Sequence, residues 1–301
     1  MKNFIITLVV LIIAGVGIYL LAKSSSKVDL TNNQNVSTTT PSGQIATSTV
    51  NQKNPDETII GKSVQGRDIT AYHYGTGSTE LLFVGGIHGG YEWNTVLLAY
   101  QTMDYLKQNL NLIPSNIKVT IIPVLNPDGL NKIVGTAGRF TTANVPSPIS
   151  ATVAGRFNAN NVDLSRNFDC NWQVTGTWQN KTVSGGSKVF SEPESLAMKN
   201  YVETSKPIAI VTWYSAAGGI YASSCNNGVS AETNTITKKY ADASGYPAYD
   251  SFDFYETTGD MVNWFAKINI PAISVLLTNH TDVEWTKNLA GIQALLKYYT
   301  K

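Results

Sequence analysis

Four segments of the sequence are short, nearly continuous apolar runs: Leu81–Gly85, Val119–Val124, Ile208–Trp213 and Ala272–Leu277. A strand with one face in water alternates polar and apolar residues. Runs like these fit strands covered on both faces. Between and after them lie stretches with helical spacing: Tyr91–Leu106, Glu232–Ala243, Asp260–Lys267 and Val283–Tyr299. A further helix to about Thr204 is opened by Ser191-Glu192-Pro193-Glu194, a capping-box pattern with proline in the first turn. Ile69–Tyr74 alternates as a strand, and Asn126-Pro127-Asp128-Gly129 reads as a turn. The alternation predicts an α/β fold, with a mixed, mostly parallel sheet between helices. From about Pro55 onward the pattern is globular, and roughly 245 residues suit one such domain.

The first 54 residues are different. Phe4 to Ala22 is an uncharged, mostly aliphatic run, which as a helix would span roughly 28 Å, about one hydrocarbon core. It is longer than the apolar core of a cleaved signal, and Leu20-Leu21-Ala22-Lys23 is a poor cleavage site. Residues 1–23 are therefore expected to be a transmembrane anchor in preference to a cleaved signal segment. Residues 24–54 are rich in Ser, Thr, Asn and Gln and have too little apolar surface to order themselves. They read as a tether that holds the domain, 55–301, outside the cytoplasm.

Composition narrows the chemistry. The net charge is +1, so no bulk electrostatic attraction to nucleic acid is expected. The two cysteines, Cys170 and Cys225, are far apart in sequence and form no Cys-x-x-Cys, which excludes zinc-finger and iron–sulfur patterns. The chain holds three histidines, His73, His88 and His280, and these limit any histidine-based metal site.

Sites in such sheets form beyond the strand ends, and three segments there carry reactive groups. In Gly85-Gly86-Ile87-His88-Gly89-Gly90-Tyr91-Glu92 a histidine and a carboxylate meet where a strand passes through glycines into a helix. That pair suits zinc, although a polar helix entry favoured by the dipole would look the same. Arg156 and Arg166 lie in a loop rich in Asn and Asp, suited to carboxylate or oxyanion recognition or simply solvated. Tyr255-Glu256-Thr257-Thr258-Gly259-Asp260 could offer a phenol to a ligand or serve as an ordinary helix cap.

Taken in order, Gly-Gly-Ile-His…Glu, Asn-Pro-Asp-Gly, Val-Asp-Leu-x-Arg-Asn-Phe-Asp, Ser-Glu-Pro-Glu and Tyr-x-x-x-Gly-Asp resemble the zinc metallocarboxypeptidases of the carboxypeptidase A superfamily. The likeness is greatest to the bacterial secreted branch, some of whose members trim peptidoglycan peptides, and it runs from about residue 56 to the end. It implies the phosphorylase/hydrolase-like single-domain fold, zinc as cofactor, and peptide hydrolysis. By the resemblance His88 and Glu92 match two zinc ligands, with one residue more between them than in the commoner spacing. Asp163 matches the carboxylate that orients the ligand histidine, and Arg156 the arginine that stabilises the developing oxyanion. Arg166 matches the arginine for the terminal carboxylate, with Ser165 where the family usually has Asn. Tyr255 matches the mobile tyrosine. Val262 falls near the position that sets side-chain preference, which implies no charge selection.

Two positions depart from the family. Its third zinc ligand is a histidine just after a buried strand; here Trp213-Tyr214-Ser215 puts Tyr214 there, and no histidine lies between His88 and His280. Its general base is a glutamate on the penultimate strand; here that position is Leu276, and no carboxylate lies between Asp260 and Asp282. His280 and Glu284 are the nearest substitutes, and both read better as loop and helix-cap groups. Zinc binding is thus expected to be weak or absent.

Three readings remain open. One is a catalytically degenerate domain that still binds peptide or peptidoglycan-stem C-terminal carboxylates. The second is an active zinc carboxypeptidase or amidase with a rebuilt site, and the third is a non-catalytic surface scaffold. The implied fold also brings the loops after the arginine segment and after the Tyr214 strand together. A Cys170–Cys225 disulfide is therefore expected, and with it an oxidising exterior.

Overall fold

The protein's structure, a computed structural model, describes residues 56–300. The expected anchor and tether lie outside them. Among the described residues no helix is long and apolar enough to cross a membrane.

Among the described residues there are ten strands: β1 (Asp56–Lys62), β2 (Asp68–Tyr74), β3 (Thr79–Val84), β4 (Ile117–Ile122), β5 (Thr175–Trp178), β6 (Lys181–Ser184), β7 (Ala209–Ser215), β8 (Gly219–Ala222), β9 (Ala248–Tyr249) and β10 (Ala272–Leu277). The helices are α1 (Trp93–Gln108), α2 (Pro127–Val134), α3 (Pro193–Ser205), α4 (Ala231–Ser244), α5 (Met261–Lys267) and α6 (Trp285–Tyr298). Eight strands form one mixed sheet in the order β1-β2-β4-β3-β7-β10-β8-β9, and β5 pairs with β6 in a separate hairpin. The centre, β4-β3-β7-β10, is parallel. β1, β2 and β8 add antiparallel pairings toward the edges.

Both sheet faces are covered, as the apolar runs require. Along β3, Leu81 and Phe83 pack into one core with α1, α4 and α6. Leu82 and Val84 pack into the other with α3 and α5. β7 divides the same way: Val211 and Trp213 face the first core, Ile210 and Tyr214 the second. The period of two along a strand therefore decides that Tyr214 points to the α3/α5 side.

Two local readings of the sequence change. Asn126-Pro127-Asp128-Gly129 is no plain turn but the start of α2. Asn126 Oδ1 accepts from Gly129 N at 2.8 Å and Pro127 stands in the first turn, where its missing N–H costs nothing. α3 begins at the expected proline, but Ser191 does not cap it; the N-cap is Glu192, which makes no side-chain cap bond.

The expected disulfide is present. Cys170 and Cys225 are joined with their Cα atoms 6.0 Å apart, and both are buried. The third histidine, His73, is structural. On β2 its ring nitrogens lie 3.1 and 3.0 Å from the hydroxyls of Thr58 and Thr120.

Candidate functional site

β3 ends at Val84 and the chain turns through glycines into a short 3-10 turn, Gly89–Glu92, ahead of α1. Gly89 has φ +43°, and a Cβ there would meet Leu130 N and Gly155 O at 2.7 Å. Only glycine lets the backbone pass this close. The turn sets His88 and Glu92 side by side, with His88 Nδ1 2.8 Å from Glu92 Oε1. Both residues are buried.

The other ring nitrogen faces a short 3-10 turn, Leu164–Arg166. His88 Nε2 is 2.9 Å from Ser165 Oγ and 3.4 Å from Asp163 Oδ1. Ser165 Oγ in turn donates to Asp163 Oδ1 at 2.8 Å. Asp163 Oδ2 accepts from Arg156 Nε at 2.8 Å. The Arg156 guanidinium continues to the first pair, with Nη1 3.2 Å from His88 Nδ1 and 3.9 Å from Glu92 Oε1. One face of Arg156 is covered by the Trp178 ring at 4.5 Å. Burial opposes charge on Asp163, but Arg156, His88 and Arg166 outweigh it and hold the carboxyl well below the usual carboxylate range. Burial likewise opposes charge on Arg156, and Asp163 and Glu92 reverse that effect.

Arg166 is anchored by the hairpin. Its Nη2 and Nε donate to Thr177 O at 2.8 and 3.2 Å, and Nη1 donates to Ser165 O at 2.9 Å. The Tyr255 ring lies 5.8 Å from the guanidinium. Gly259, with φ +65°, leaves no room for a Cβ against Arg166 O. Arg166 is 2% exposed, and no carboxylate comes within ion-pair distance of it among the described residues. His88, Glu92, Arg156, Ser165, Arg166, Trp178 and Tyr255 border one cavity of about 630 Å³, and Asp163 is fully buried beside them.

Tyr214, expected at the third-ligand position, stands at the end of β7. Its ring centroid is 5.5 Å from that of His88, and its hydroxyl is buried with no hydrogen-bond partner. Burial, with Asp260 and Glu92 nearby, pushes the phenol well above its ordinary pKa, so it stands as a neutral hydroxyl at physiological pH. Leu276, expected at the general-base position, is Tyr214's register partner on β10. The motif order over a mixed sheet, with His88, Glu92 and both arginines gathered at one cavity and Asp163 buried against them, decides the family.

The chain belongs to the zinc carboxypeptidase family. The family description "zinc carboxypeptidase" matches residues 46–284. Among curated proteins, metallocarboxypeptidase A of Trichophyton rubrum is 31% identical over 131 residues, 40% of this chain and 29% of that protein. Bacteriocin BCN5 of Clostridium perfringens is 29% identical over 153 residues, 50% of this chain and 15% of that protein. The chain thus spans less than a third of the length of these relatives. The solved murein-tripeptide amidase MpaA from Escherichia coli O157 superposes with a TM-score of 0.60 at 20% identity, covering 82% of this chain and 94% of that one. At that identity the likeness is one of fold.

Zinc in this family needs a donor set, and catalytic sites supply three protein ligands. His88 Nδ1 and Glu92 Oε1 suit two of them; a neutral phenol does not suit the third, since tyrosine must lose its proton to bind. The donors do not complete a zinc carboxypeptidase site. Among the described residues no group of three or more His, Cys, Asp or Glu side chains is placed to hold a metal ion.

The substitutes for the base divide. His280 borders the cavity, packs its ring 4.6 Å from that of Tyr91, and has a buried Nδ1 without a partner. Burial lowers its pKa, which favours the neutral ring. Glu284 is structural. It accepts from Thr278 N and from the Tyr246 hydroxyl, both at 2.7 Å, at the start of α6.

Val262, expected near the pocket that sets side-chain preference, is buried in the core on the α3/α5 side and does not border the cavity. Its neighbours Asp260 and Asn263 do. That removes the ground for expecting no charge selection. Sequence reasoning also missed Trp178. Its hairpin turns through Gln179 (φ +55°) and Asn180, without the Asn-Gly or Asp-Gly signal that marks such turns.

Proposed function

We propose that this zinc carboxypeptidase-like domain is a catalytically degenerate receptor for peptide C-terminal carboxylates. The observation that carries the reading is Arg166, a buried guanidinium that borders the cavity and has no carboxylate partner. An unpaired buried charge is costly, and a ligand carboxylate would pair it. One Nη2 hydrogen remains beyond the bonds to Thr177 and Ser165, and Tyr255 stands at the cavity wall to cover the ligand. Arg156 is committed to Asp163, so its main role is to keep the His88–Glu92–Asp163 cluster neutralised.

Hydrolysis is disfavoured at two points. Tyr214 offers no anionic donor, and Leu276 offers no base, whose loss alone removes roughly 10²–10⁴ in rate. One structural neighbour is a murein-tripeptide amidase, which makes a peptidoglycan stem a candidate source of the carboxylate. The disulfide supports a compartment outside the cytoplasm, and the apolar run Phe4–Ala22 would hold the domain at the membrane.

The test is calorimetric titration of the full chain with short peptides bearing free or amidated C-termini. Binding of the free acids alone, lost in Arg166→Ala, is the expected result. Equal or absent binding of both forms would favour a surface scaffold. Near-stoichiometric zinc together with hydrolysis of C-terminal bonds would favour an active enzyme with a rebuilt site.

A further inference from the structure

Glu92 Oε2, the Tyr214 hydroxyl and His280 Nδ1 are buried atoms of cavity-lining residues, and none has a hydrogen-bond partner. They belong to neighbouring groups. Glu92 Oε1 lies 2.8 Å from His88 Nδ1, and the Tyr214 ring centroid is 5.5 Å from that of His88. The His280 ring packs 4.6 Å from that of Tyr91, the residue before Glu92. Glu92 acts electrostatically on both Tyr214 and His280. The Tyr221 hydroxyl also lacks a partner, but it belongs to an aromatic cluster with Tyr249 and Phe252. The backbone that carries His280 is pinned by its neighbours. Asn279 O accepts from Asn94 Nδ2 at 2.8 Å, and Asn279 Oδ1 accepts from Thr281 N at 2.8 Å. These bonds hold the segment in place and leave the buried ring nitrogen unbonded.

All three atoms can accept a hydrogen bond. A carboxylate oxygen only accepts, while a phenol oxygen and a neutral imidazole nitrogen each offer a lone pair. On Glu92 the other oxygen is the one that faces His88 and, at 3.9 Å, Arg156. Arg156 is itself committed to Asp163 at 2.8 Å. Oε2 is therefore a carboxylate oxygen in a buried wall with no donor, and such a group is costly to leave unbonded. A primary ammonium carries three N–H donors and one positive charge, which matches the three acceptors in number and Glu92 in sign. We infer that Glu92, Tyr214 and His280 form an ammonium site, and that with Arg166 they make the cavity a receptor for free α-amino acids, bound as zwitterions. The inference rests on the carboxylate-receptor reading and narrows it. A peptide brings its carboxylate to Arg166 but offers the three acceptors one uncharged amide N–H. A free amino acid satisfies both ends and binds more tightly.

The experiment titrates the full chain calorimetrically with leucine, lysine and glutamate, each as the free amino acid and as its Nα-acetyl form. Comparison within a pair cancels any side-chain preference. Neutral pH keeps the α-amine protonated, and a chelator in the buffer ensures that the contacts read are those of the protein. The expected result is that the free amino acid of at least one pair binds about tenfold or more tighter than its acetyl form. Glu92→Gln should cut that ratio to less than about threefold while the acetyl form still binds. Tyr214→Phe and His280→Phe each remove one acceptor and should lower the ratio by a smaller factor. Circular dichroism checks that each variant is folded, and the Tyr214 and His280 variants carry the test if Glu92→Gln does not fold. Acetyl forms that bind as tightly as the free amino acids, with binding lost on amidation of the carboxylate, overturn the inference and leave the carboxylate reading standing. A preference for the free amine that appears only without the chelator overturns it as well. No binding of any free acid overturns both.

Discussion

Tyr214 and Leu276 are register partners on the adjacent parallel strands β7 and β10. Both side chains lie on the α3/α5 side of the sheet and border the cavity. The two positions expected to carry a third zinc ligand and a base are therefore next to each other. A phenol and an isobutyl group fill the wall there and make one neutral surface beside the His88–Glu92 pair. Polar groups, among them Arg166, Asp260, Asn263 and Ser274, line other parts of the cavity.

Metal dependence should be weak. Two ligands and a neutral phenol leave zinc poorly held, and the guanidinium of Arg156 already lies 3.2 Å from the nitrogen that would bind it. After equilibration with zinc and gel filtration, the chain should hold well under one zinc per molecule. A chelator should leave its thermal midpoint unchanged. About one zinc per chain, with a midpoint that falls on chelation, would contradict this.

Restoring the family's groups should restore the metal. Tyr214→His supplies an imidazole at the end of β7, and Leu276→Glu a carboxylate beside it. Zinc affinity should rise by roughly 100-fold or more in the double variant, since even the partners of ligands are worth 10–100-fold. Tyr214→His alone should account for most of that rise. Leu276→Glu alone should lower the thermal midpoint, because it places a carboxylate in a buried wall. Equilibrium dialysis and thermal melts separate these outcomes.

The sheet was legible from the sequence because its central strands are covered on both faces and read as apolar runs. The edges were not. β1 is mostly exposed and carries Asp56, Glu57 and Lys62, so its residues show no buried period. β8 has four residues and β9 two, too short for a pattern. Asn126 and Pro127 signalled a turn because the same residues start turns and helices. At the site, the clustering of His88, Glu92, Asp163 and Arg156 was legible through motif order. Trp178 over Arg156 and Asp260 in the cavity were not, because contacts distant in sequence leave no local mark. At the entry to α5 a single residue, Met261, stands between Asp260 at the cavity and Val262 in the core.

Acid should destabilise the domain through Asp163. Its folded pKa lies well below its unfolded value, through Arg156, His88 and Arg166 acting against burial. The stabilisation is therefore present above the unfolded value of about 4 and is lost as pH falls through the folded one. Asp163→Asn removes it at all pH values and leaves Arg156 buried without its partner, a cost of about 3–5 kcal/mol. Urea unfolding at neutral pH should show that loss, and below pH ~4 the gap between variant and wild type should narrow. A gap constant down to pH ~2 would remove Asp163 from the account.

The disulfide should matter more for stability than for the shape of the site. Cys170–Cys225 closes a loop of 55 residues, which the chain-entropy treatment converts to about 4 kcal/mol. Both cysteines are buried, so a reductant should act slowly on the native chain and fast in urea. Cys170 O accepts from Gly259 N at 2.7 Å, and Arg166 precedes Cys170 by four residues. The bridge thus ties the Arg166 loop and the entry to α5 to the segment that follows β8. A Cys170→Ala/Cys225→Ala variant should have a lower urea midpoint while its affinity for free-acid peptides changes less than threefold. Loss of peptide binding in a variant that remains folded by circular dichroism would show instead that the bridge holds the two cavity walls in place.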